Sequence, residues 1–306
     1  MMGILNHLST LLLLSLLPPA LSHVVDKFSD VPQCQKFFLE GTTPNLPGIL
    51  VGGTVKDQNR YKPICQLYNN AYRFATLYDT TNKIPVLSAY TFTGYIPGRP
   101  AEPWMMEPGL EENNNKINEM QSMGGGIYKN QAGNNDYAQD VRRNPKDFKD
   151  VSRGHLFPSS HARDLKTQES TFTLTNIVPQ DRTFNGGSWR EMEERVREKL
   201  EMDCISNKGI TAYVVTGAVP SSSNKLNNRV NIPDLLWTAF CCLDKKKKWM
   251  AEAHWGWNKK DKGETLKPET LGALEDMLNR YHQGKDGPVK VFPGDCPRDT
   301  KPTTSS

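Results

Sequence analysis

The segment 152–197 contains the types of side chain that hydrolysis of a phosphodiester requires. His155 lies in a short extended stretch, Asn185 precedes two glycines, and Glu193 lies in a run with helical periodicity. A neutral histidine deprotonates water, and amide or carboxylate oxygens bind a hard divalent cation. Arginines in the same segment stabilise the charge that develops on the phosphate. The segment therefore predicts a site for metal-assisted hydrolysis, provided that its strands and helix bring these side chains together.

A helix is predicted to begin at Ser188. Ser188 and Glu191 have the spacing of a capping box, in which both side chains accept hydrogen bonds from backbone amides of the first turn. Apolar side chains then recur on one face, at Trp189, Met192, Val196 and Leu200. Glu193 and Arg197 lie beside this stripe, where an unpaired charge is costly. The alternatives are an i,i+4 ion pair between them, or a carboxylate that faces a metal ion and is steadied by the arginine.

Other elements follow from residue type. Runs of β-branched and aromatic residues predict strands at 84–92, 172–177, 210–219, 236–243 and 249–255. Asparagines and glycines in 105–135 predict surface loops around a short helix near 110–123. The lysines at 245–248 are predicted to form the solvated tip of a hairpin rather than a binding patch.

The composition is that of a globular protein. Of 306 residues, 37% are hydrophobic and 24% are charged, and the formal net charge at pH 7 is +4. This small positive excess permits nucleic-acid binding without arguing for it, because binding depends on how charges cluster. The sequence has no G-X-Y period, no long heptad repeat and a single strongly apolar segment, which excludes collagen, coiled-coil and multispan membrane proteins.

The apolar segment lies at the N-terminus. A run at 8–17 is followed by two prolines and by small residues ending at Ser22, which is typical of a signal peptide cleaved after that serine. The run is shorter than the twenty or so apolar residues of a spanning helix. A retained anchor or a buried helix is the alternative. We expect a secreted, extracellular protein without a membrane span in its mature chain. The predicted organisation is a signal peptide at 1–22, one domain at 23–296 and a flexible tail at 297–306.

Six cysteines in the predicted mature chain indicate three disulfides and an oxidising compartment. Their spacing favours a bond between Cys34 and Cys65. Cys204 and Cys296 are each expected to bond one of the two cysteines at 241–242, since adjacent cysteines seldom bond each other. A zinc site is disfavoured because the sequence has no C-x-x-C pair.

Three linked motifs resemble those of the DNA/RNA non-specific endonucleases of the ββα-metal group. That family carries D-R-G-H, then S-N-x-x-P-Q, then N-x-G-x-W-x-x-L-E. The matching stretches, in the same order, are Ser152-Arg153-Gly154-His155, Thr175-Asn176-Ile177-Val178-Pro179-Gln180 and Asn185-Gly186-Gly187-Ser188-Trp189-Arg190-Glu191-Met192-Glu193. The likeness extends over residues 31–296 and is greatest toward a secreted vertebrate branch. It implies a disulfide-bonded α+β domain with a mixed central sheet and a ββα-metal motif.

The resemblance also implies roles for three residues at the reacting centre. His155 corresponds to the general base, Asn185 to the direct protein ligand of a magnesium ion, and Glu193 to a residue that holds metal-bound water. Magnesium suits such a site because it keeps several waters and needs few protein ligands, and manganese is the implied substitute. The implied activity is cleavage of DNA and RNA with little base preference.

Further residues correspond to those that contact the substrate in the family. Arg153 and Arg197 match arginines near the scissile phosphate, and Asn176 matches a polar residue that lines the site. Arg99 is the candidate for a further phosphate contact. DNA and RNA are therefore the implied partners, bound through phosphates that carry little sequence information.

One position departs from the family motif. Ser152 occupies the place of the aspartate. If a carboxylate there orients Arg153, its absence predicts lower activity even with base and metal ligand in place. Asp150 lies two residues earlier and, by strand alternation, on the same side as Ser152.

Two other classes of function are open to this sequence. One is a catalytically silent secreted protein that holds nucleic acid or another anion in the same groove. The other is an interaction domain in which Glu193 and Arg197 form a plain ion pair. Metal dependence discriminates these from a hydrolase. A serine hydrolase at Ser159-Ser160-His161 is disfavoured, because adjacent residues cannot form the required arrangement and no G-x-S-x-G motif is present.

Overall fold

The computed structural model describes residues 23–111, 119–138, 150–206, 209–282 and 284–300. The predicted signal peptide and residues 301–306 of the predicted tail lie outside these ranges. The strands are β1 (Leu50–Val51), β2 (Thr54–Val55), β3 (Tyr61–Tyr68), β4 (Ala71–Asp79), β5 (Ile84–Phe92), β6 (Met105–Met106), β7 (Gln121–Ser122), β8 (Val151–His155), β9 (Ile177–Asp181), β10 (Ile205–Ser206), β11 (Gly209–Ile210), β12 (Ala212–Val219), β13 (Lys225–Leu226), β14 (Val230–Asn231), β15 (Leu235–Leu243) and β16 (Trp249–Trp257). The helices are α1 (Pro32–Gln35), α2 (Asn134–Tyr137), α3 (Leu165–Ser170), α4 (Arg182–Phe184), α5 (Arg190–Asp203) and α6 (Leu271–Leu278).

Six long strands form the central sheet, in the order β16-β15-β12-β5-β4-β3. Each neighbouring pair in this sheet is antiparallel. The predicted α+β class is confirmed, but the expected mixed sheet is an antiparallel one. The reason is local, because short turns such as Asn69-Asn70, both with positive φ, reverse the chain between neighbouring strands.

Four of the five predicted strands are confirmed, as β5, β12, β15 and β16. The strand expected at 172–177 is wrong, since Leu174–Asn176 forms a 3₁₀ turn and β9 begins at Ile177. In this segment side chains form hydrogen bonds with backbone carbonyl groups, which favours a turn over a strand. The Thr171 hydroxyl donates to the Gln168 carbonyl, and the Asn176 amide donates to the Thr171 carbonyl.

Alternation along β15 explains the disulfides. Cys241 packs in the core on one face of the sheet, and Cys242 packs in the core on the other. The adjacent cysteines therefore point apart, and Cys241 bonds Cys296 while Cys242 bonds Cys204. Together with the bond between Cys34 and Cys65, this confirms the predicted pairing.

Helix α5 covers one face of the sheet, and α6 packs on the opposite face. The predicted apolar stripe of α5 is confirmed, since Trp189, Met192, Val196 and Leu200 are buried. The predicted start is wrong in detail, because α4 and a π-helical turn at Asn185–Trp189 precede α5 without a break. The Ser188 amide donates to the distant Asp261 carboxylate at 2.7 Å, so a tertiary contact replaces the capping box.

The strands β8 and β9 pair antiparallel beside the central sheet, and α4 and α5 follow them in the ββα order. The loop segment before β8 contributes β6, β7 and α2. The helix expected near 110–123 falls largely on residues 112–118, outside the described residues. The lysines at 245–248 connect β15 to β16, as predicted for a hairpin tip. Among the described residues, no helix combines the length and apolar character needed to cross a bilayer.

Candidate active site

The β8–β9 pair aligns the first two motifs. Ser152 lies opposite Gln180, and His155 ends β8. A Cβ atom on Gly154 would lie 2.7 Å from the Cβ atom of Gln180. Glycine is therefore required at position 154, because the Gln180 side chain occupies the space that any larger residue would need.

His155 is held by packing rather than by hydrogen bonds. Its ring meets the Phe172 ring edge-on at a centroid distance of 4.9 Å, and Nε2 is buried without a partner. Burial lowers the pKa of His155 to about 3, and the positive charge of Arg99 acts in the same direction. The imidazole is consequently neutral at physiological pH, which is the form required of a general base.

Arg153 lies between two aromatic rings. Its guanidinium carbon is 4.4 Å from the centroid of the Trp104 ring and 5.4 Å from that of the Tyr137 ring. One terminal nitrogen donates to Oδ1 of Asn134 at 3.0 Å, and Nε is buried without a partner. The arginine predicted to contact phosphate is therefore placed by an aromatic cage and an amide.

Ser152 contacts the third motif instead of Arg153. Its hydroxyl donates to the Gln180 carbonyl at 3.3 Å and accepts from Nδ2 of Asn185 at 2.9 Å. Strand alternation sends the neighbouring Arg153 to the opposite face. Asp150, the other carboxylate considered for this place, pairs with the exposed Arg182. The contacts described for the side chains of Ser152 and Asp150 are therefore with residues other than Arg153.

Glu193 and Arg197 do not form the ion pair that an interaction domain would have. The guanidinium carbon of Arg197 lies 4.2 Å from the centroid of the Tyr95 ring, and its charged neighbour among the described residues is Glu198 at 3.8 Å. Burial raises the pKa of Glu193 to about 8, although the neighbouring Trp189 side chain and the charge of Arg99 act in the opposite direction.

Arg99 lies at the mouth of the site. It is exposed, donates to the Glu102 carboxylate at 2.8 Å, and stacks over the Phe172 ring at 5.0 Å. Its charge acts on both His155 and Glu193. Arg99 and His155 both contact Phe172, so the structure places Arg99 near one predicted catalytic residue, although the sequence around it is not motif-like.

Asn176 does not lie in the site. It is fully buried, and its side-chain oxygen accepts from the Ser88 hydroxyl and the Phe157 amide. Its amide nitrogen donates to the Phe157 and Thr171 carbonyls. All of its hydrogen-bonding capacity is used inside the protein, so the prediction that Asn176 contacts substrate does not agree with this placement.

The oxygen donors of Asn185 and Glu193 are of the kind that hard divalent cations prefer. Within the described residues, no group of three or more His, Cys, Asp and Glu side chains is arranged to hold a metal. Because Nδ2 of Asn185 is committed to Ser152, the side-chain oxygen of Asn185 is left for a ligand. Glu193 offers a carboxyl group that is mainly protonated in the free protein, and a bound cation would favour its ionised form. Magnesium keeps most of its waters and needs one or two protein oxygens, whereas a structural zinc site needs four ligands.

Sequence reasoning missed three residues that contact Arg153, namely Trp104, Asn134 and Tyr137. All three lie in or beside the segment predicted as surface loops. The only sequence signal of Trp104 and Tyr137 is an aromatic side chain in or beside a polar stretch, and Asn134 is one of the asparagines that predicted the loops. Aromatic side chains at these positions are equally compatible with an ordinary core, so the sequence did not distinguish them.

His161 joins the site to the sheet and makes stability pH-dependent. Its Nε2 donates to the Glu193 carbonyl at 2.9 Å and its Nδ1 accepts from the Tyr90 hydroxyl at 2.8 Å, which requires the neutral ring. Burial lowers the pKa of His161 to about 4, against about 6.5 when unfolded. Between these values the unfolded chain binds a proton that the native chain does not, so the free energy of unfolding falls as pH falls.

We expect His161→Gln to weaken this pH dependence. Glutamine cannot titrate, so the variant should lose about 2 kcal/mol less stability than the parent between pH 7 and pH 5. Urea denaturation at the two pH values measures the difference. Equal losses in parent and variant would show that His161 is not the titrating group.

The chain resembles known nucleases over most of its length. A family model described as DNA/RNA non-specific endonuclease matches residues 55–275. Endonuclease domain-containing 1 protein of Homo sapiens is 33% identical over 216 residues, which are 69% of this chain and 39% of that protein. A nuclease of Serratia marcescens is 34% identical over 67 residues, or 22% of this chain and 24% of that protein.

A solved structure, titled as the EndoG/EndoGI complex and the mechanism of EndoG inhibition, aligns with a TM-score of 0.47 at 17% identity and covers 71% of this chain and 84% of that chain. The match to the human relative spans only 39% of that relative's length. The family model, in contrast, extends over residues 55–275, well beyond half of the 306 residues here. The chain belongs to the DNA/RNA non-specific endonuclease family.

Proposed function

We propose that this protein is a secreted endonuclease that hydrolyses phosphodiester bonds of DNA and RNA with little sequence preference. The reaction uses a divalent metal ion, and magnesium is the metal we expect. The observation that carries the proposal is the neutral, unpaired imidazole of His155 near the positive charge of Arg99. A base beside a cation is suited to an anionic substrate that must be attacked by water.

His155 takes the proton from the attacking water. Its low pKa belongs to the free protein, in which burial and Arg99 both disfavour the imidazolium. A phosphodiester bound at Arg99 neutralises that charge and brings a negative charge close to the ring. Both effects raise the pKa of His155 toward the range in which a general base is effective.

Arg99, Arg153 and Arg197 supply positive charge to the phosphate as its negative charge grows. Asn185 and Glu193 are the residues that would hold the metal. Magnesium, when bound, supplies a Lewis acid for the phosphate oxygens and for the leaving group. Burial disfavours an uncompensated carboxylate at Glu193 and raises its pKa to about 8, so a bound cation would compensate the charge and lower that pKa.

Binding through phosphates predicts a basic surface near Asn185, the proposed metal ligand, in the turn Asn185–Trp189. The loop after β16 exposes Lys259, Lys260 and Lys262, which form no ion pair with a described residue. We call these three residues the lysine loop. The Asn258 side chain fastens this loop to the Pro179 carbonyl, and Asp261 fastens it to the Ser188 amide, close to Asn185.

Replacing the three lysines of the lysine loop by alanine is expected to reduce the salt dependence of nucleic-acid binding. On duplex DNA, the slope of log K against log salt should become shallower by about 0.9 for each phosphate that the variant no longer neutralises. The matched control replaces Lys245, Lys246 and Lys247, which precede β16 at its other end. It removes the same charge far from Asn185. Titrations of labelled DNA in EDTA at several salt concentrations measure both. Equal slopes in the two variants would contradict local binding of phosphates by the lysine loop.

Secretion is the remaining part of the proposal. The three disulfides are compatible with an oxidising compartment, and the predicted signal peptide supplies the route. Expression in cultured cells, followed by assay of the medium and sequencing of the mature N-terminus, tests both points.

Digestion of supercoiled plasmid and total RNA by the oxidised mature chain tests the activity. We expect both substrates to be cleaved with magnesium, and neither with EDTA. A folded protein that cleaves neither substrate with magnesium or manganese would instead favour a silent nucleic-acid-binding protein.

A further inference from the structure

We propose that Trp104, Tyr137 and Asn134 are positioning residues that hold the Arg153 guanidinium at the scissile phosphate without neutralising its charge. This inference rests on the proposed nuclease function. It concerns residues outside the three motifs, which contact Arg153 whereas the Ser152 side chain contacts Gln180 and Asn185. We call these three residues the Arg153 cage.

Trp104 is held by two neighbouring side chains and one backbone hydrogen bond. The indole N–H of Trp104 donates to the Glu102 carboxylate at 3.2 Å. The backbone carbonyl of Trp104 accepts from the Met123 amide at 3.0 Å. Its ring packs edge-on against Phe172 at 5.3 Å. Because Phe172 also contacts His155 at 4.9 Å, one aromatic cluster sets the relative positions of the base and Arg153.

The other wall of the cage comes from a single helical turn. Asn134 and Tyr137 are the first and last residues of α2, and residues three apart lie on the same side of a helix. Asp136 fastens this turn, since it accepts from the Gly133 amide at 2.8 Å and from Nε of Arg229 at 2.8 Å.

A cage of this kind leaves the arginine available to a phosphate. Arg153 forms no ion pair with a described carboxylate, although the charge of Glu102 acts on it from a greater distance. Cation–π contacts do not consume N–H donors, so the terminal N–H groups of Arg153 that do not donate to Asn134 are left for oxygen acceptors. Nε of Arg153 is buried and has no hydrogen-bond partner among the described residues, so the cage does not satisfy every donor of the guanidinium.

The test is a double-mutant cycle on cleavage of a labelled oligonucleotide with magnesium. Trp104→Leu removes the π face, and we expect kcat/KM to fall about tenfold to a hundredfold, the range for misplaced catalytic groups. Arg153→Lys keeps the charge but loses the planar group, and should cause a similar loss. If Trp104 acts through Arg153, the double variant loses little more than either single variant.

Conservative variants separate positioning from folding. Trp104→Phe and Tyr137→Phe keep a ring, and the Tyr137 hydroxyl has no partner to lose, so both should retain activity within about threefold. Trp257→Leu removes a half-exposed tryptophan outside the cage and serves as the matched control. Thermal unfolding of each variant checks that the native state persists.

Two results would overturn the inference: full activity in Trp104→Leu, or additive losses in the double variant. The inference can also be tested without catalysis, because binding of labelled single-stranded DNA can be measured in EDTA, where no turnover is needed. If the parent cleaves nothing, the proposed function fails, but Trp104→Leu and Arg153→Lys should still weaken this binding equally. Unequal or absent effects in that assay would refute the cage itself.

Discussion

Replacing His155 by alanine is expected to lower turnover of both DNA and RNA by about a hundredfold to ten-thousandfold, the range for loss of a general base. Nε2 of the imidazole has no hydrogen-bond partner among the described residues, so the substitution removes the proton acceptor without breaking a hydrogen bond seen there. Because the ring is held by Phe172 and Trp104, the change leaves only a small apolar gap. Cleavage of plasmid and RNA with magnesium measures the loss.

The comparison variant is His282→Ala. Burial also lowers the pKa of His282, to about 4, but this histidine follows α6 on the opposite side of the sheet from α5. The His282→Ala variant should therefore cleave DNA and RNA at the rate of the parent. Activity retained in His155→Ala, with the native fold intact, would exclude His155 as the base.

Replacing Asn185 by alanine is expected to abolish detectable magnesium binding and to lower turnover by more than a hundredfold. Losing a residue that only hydrogen-bonds a metal ligand costs about tenfold to a hundredfold, and losing the ligand itself should cost more. Ser152→Ala tests such an outer contact. It removes the acceptor for Nδ2 of Asn185, so metal affinity should fall about tenfold while the oxygen ligand remains. Calorimetric titration with magnesium and with manganese measures affinity independently of activity.

Asn185→Asp is the matched variant, because it keeps an oxygen ligand of the same size. It should retain metal binding, although its carboxylate can no longer donate to Ser152. Unchanged metal affinity in Asn185→Ala would place the metal elsewhere. A larger effect of Ser152→Ala than of Asn185→Ala would make the serine the ligand.

Much of the fold was predictable because its signals are local. The buried face of α5 follows from apolar residues three or four apart, and β5 from β-branched and aromatic residues. The 3₁₀ turn at Leu174–Asn176 was not predictable, because hydrogen bonds of buried polar side chains override the strand propensity. The predicted cap at Ser188 was also wrong, since its actual partner, Asp261, lies far along the chain.

The sequence by itself determined which chemical groups this protein has for hydrolysis and in what order they occur, because motif residues act through their type and local spacing. Only the tertiary structure decided what each group meets. The pleat of β8 sends Ser152 toward Asn185 and Arg153 toward Trp104. Asn176, a motif residue, makes all of its hydrogen bonds inside the core. These outcomes depend on contacts between segments distant in the chain, and no local pattern encodes such contacts.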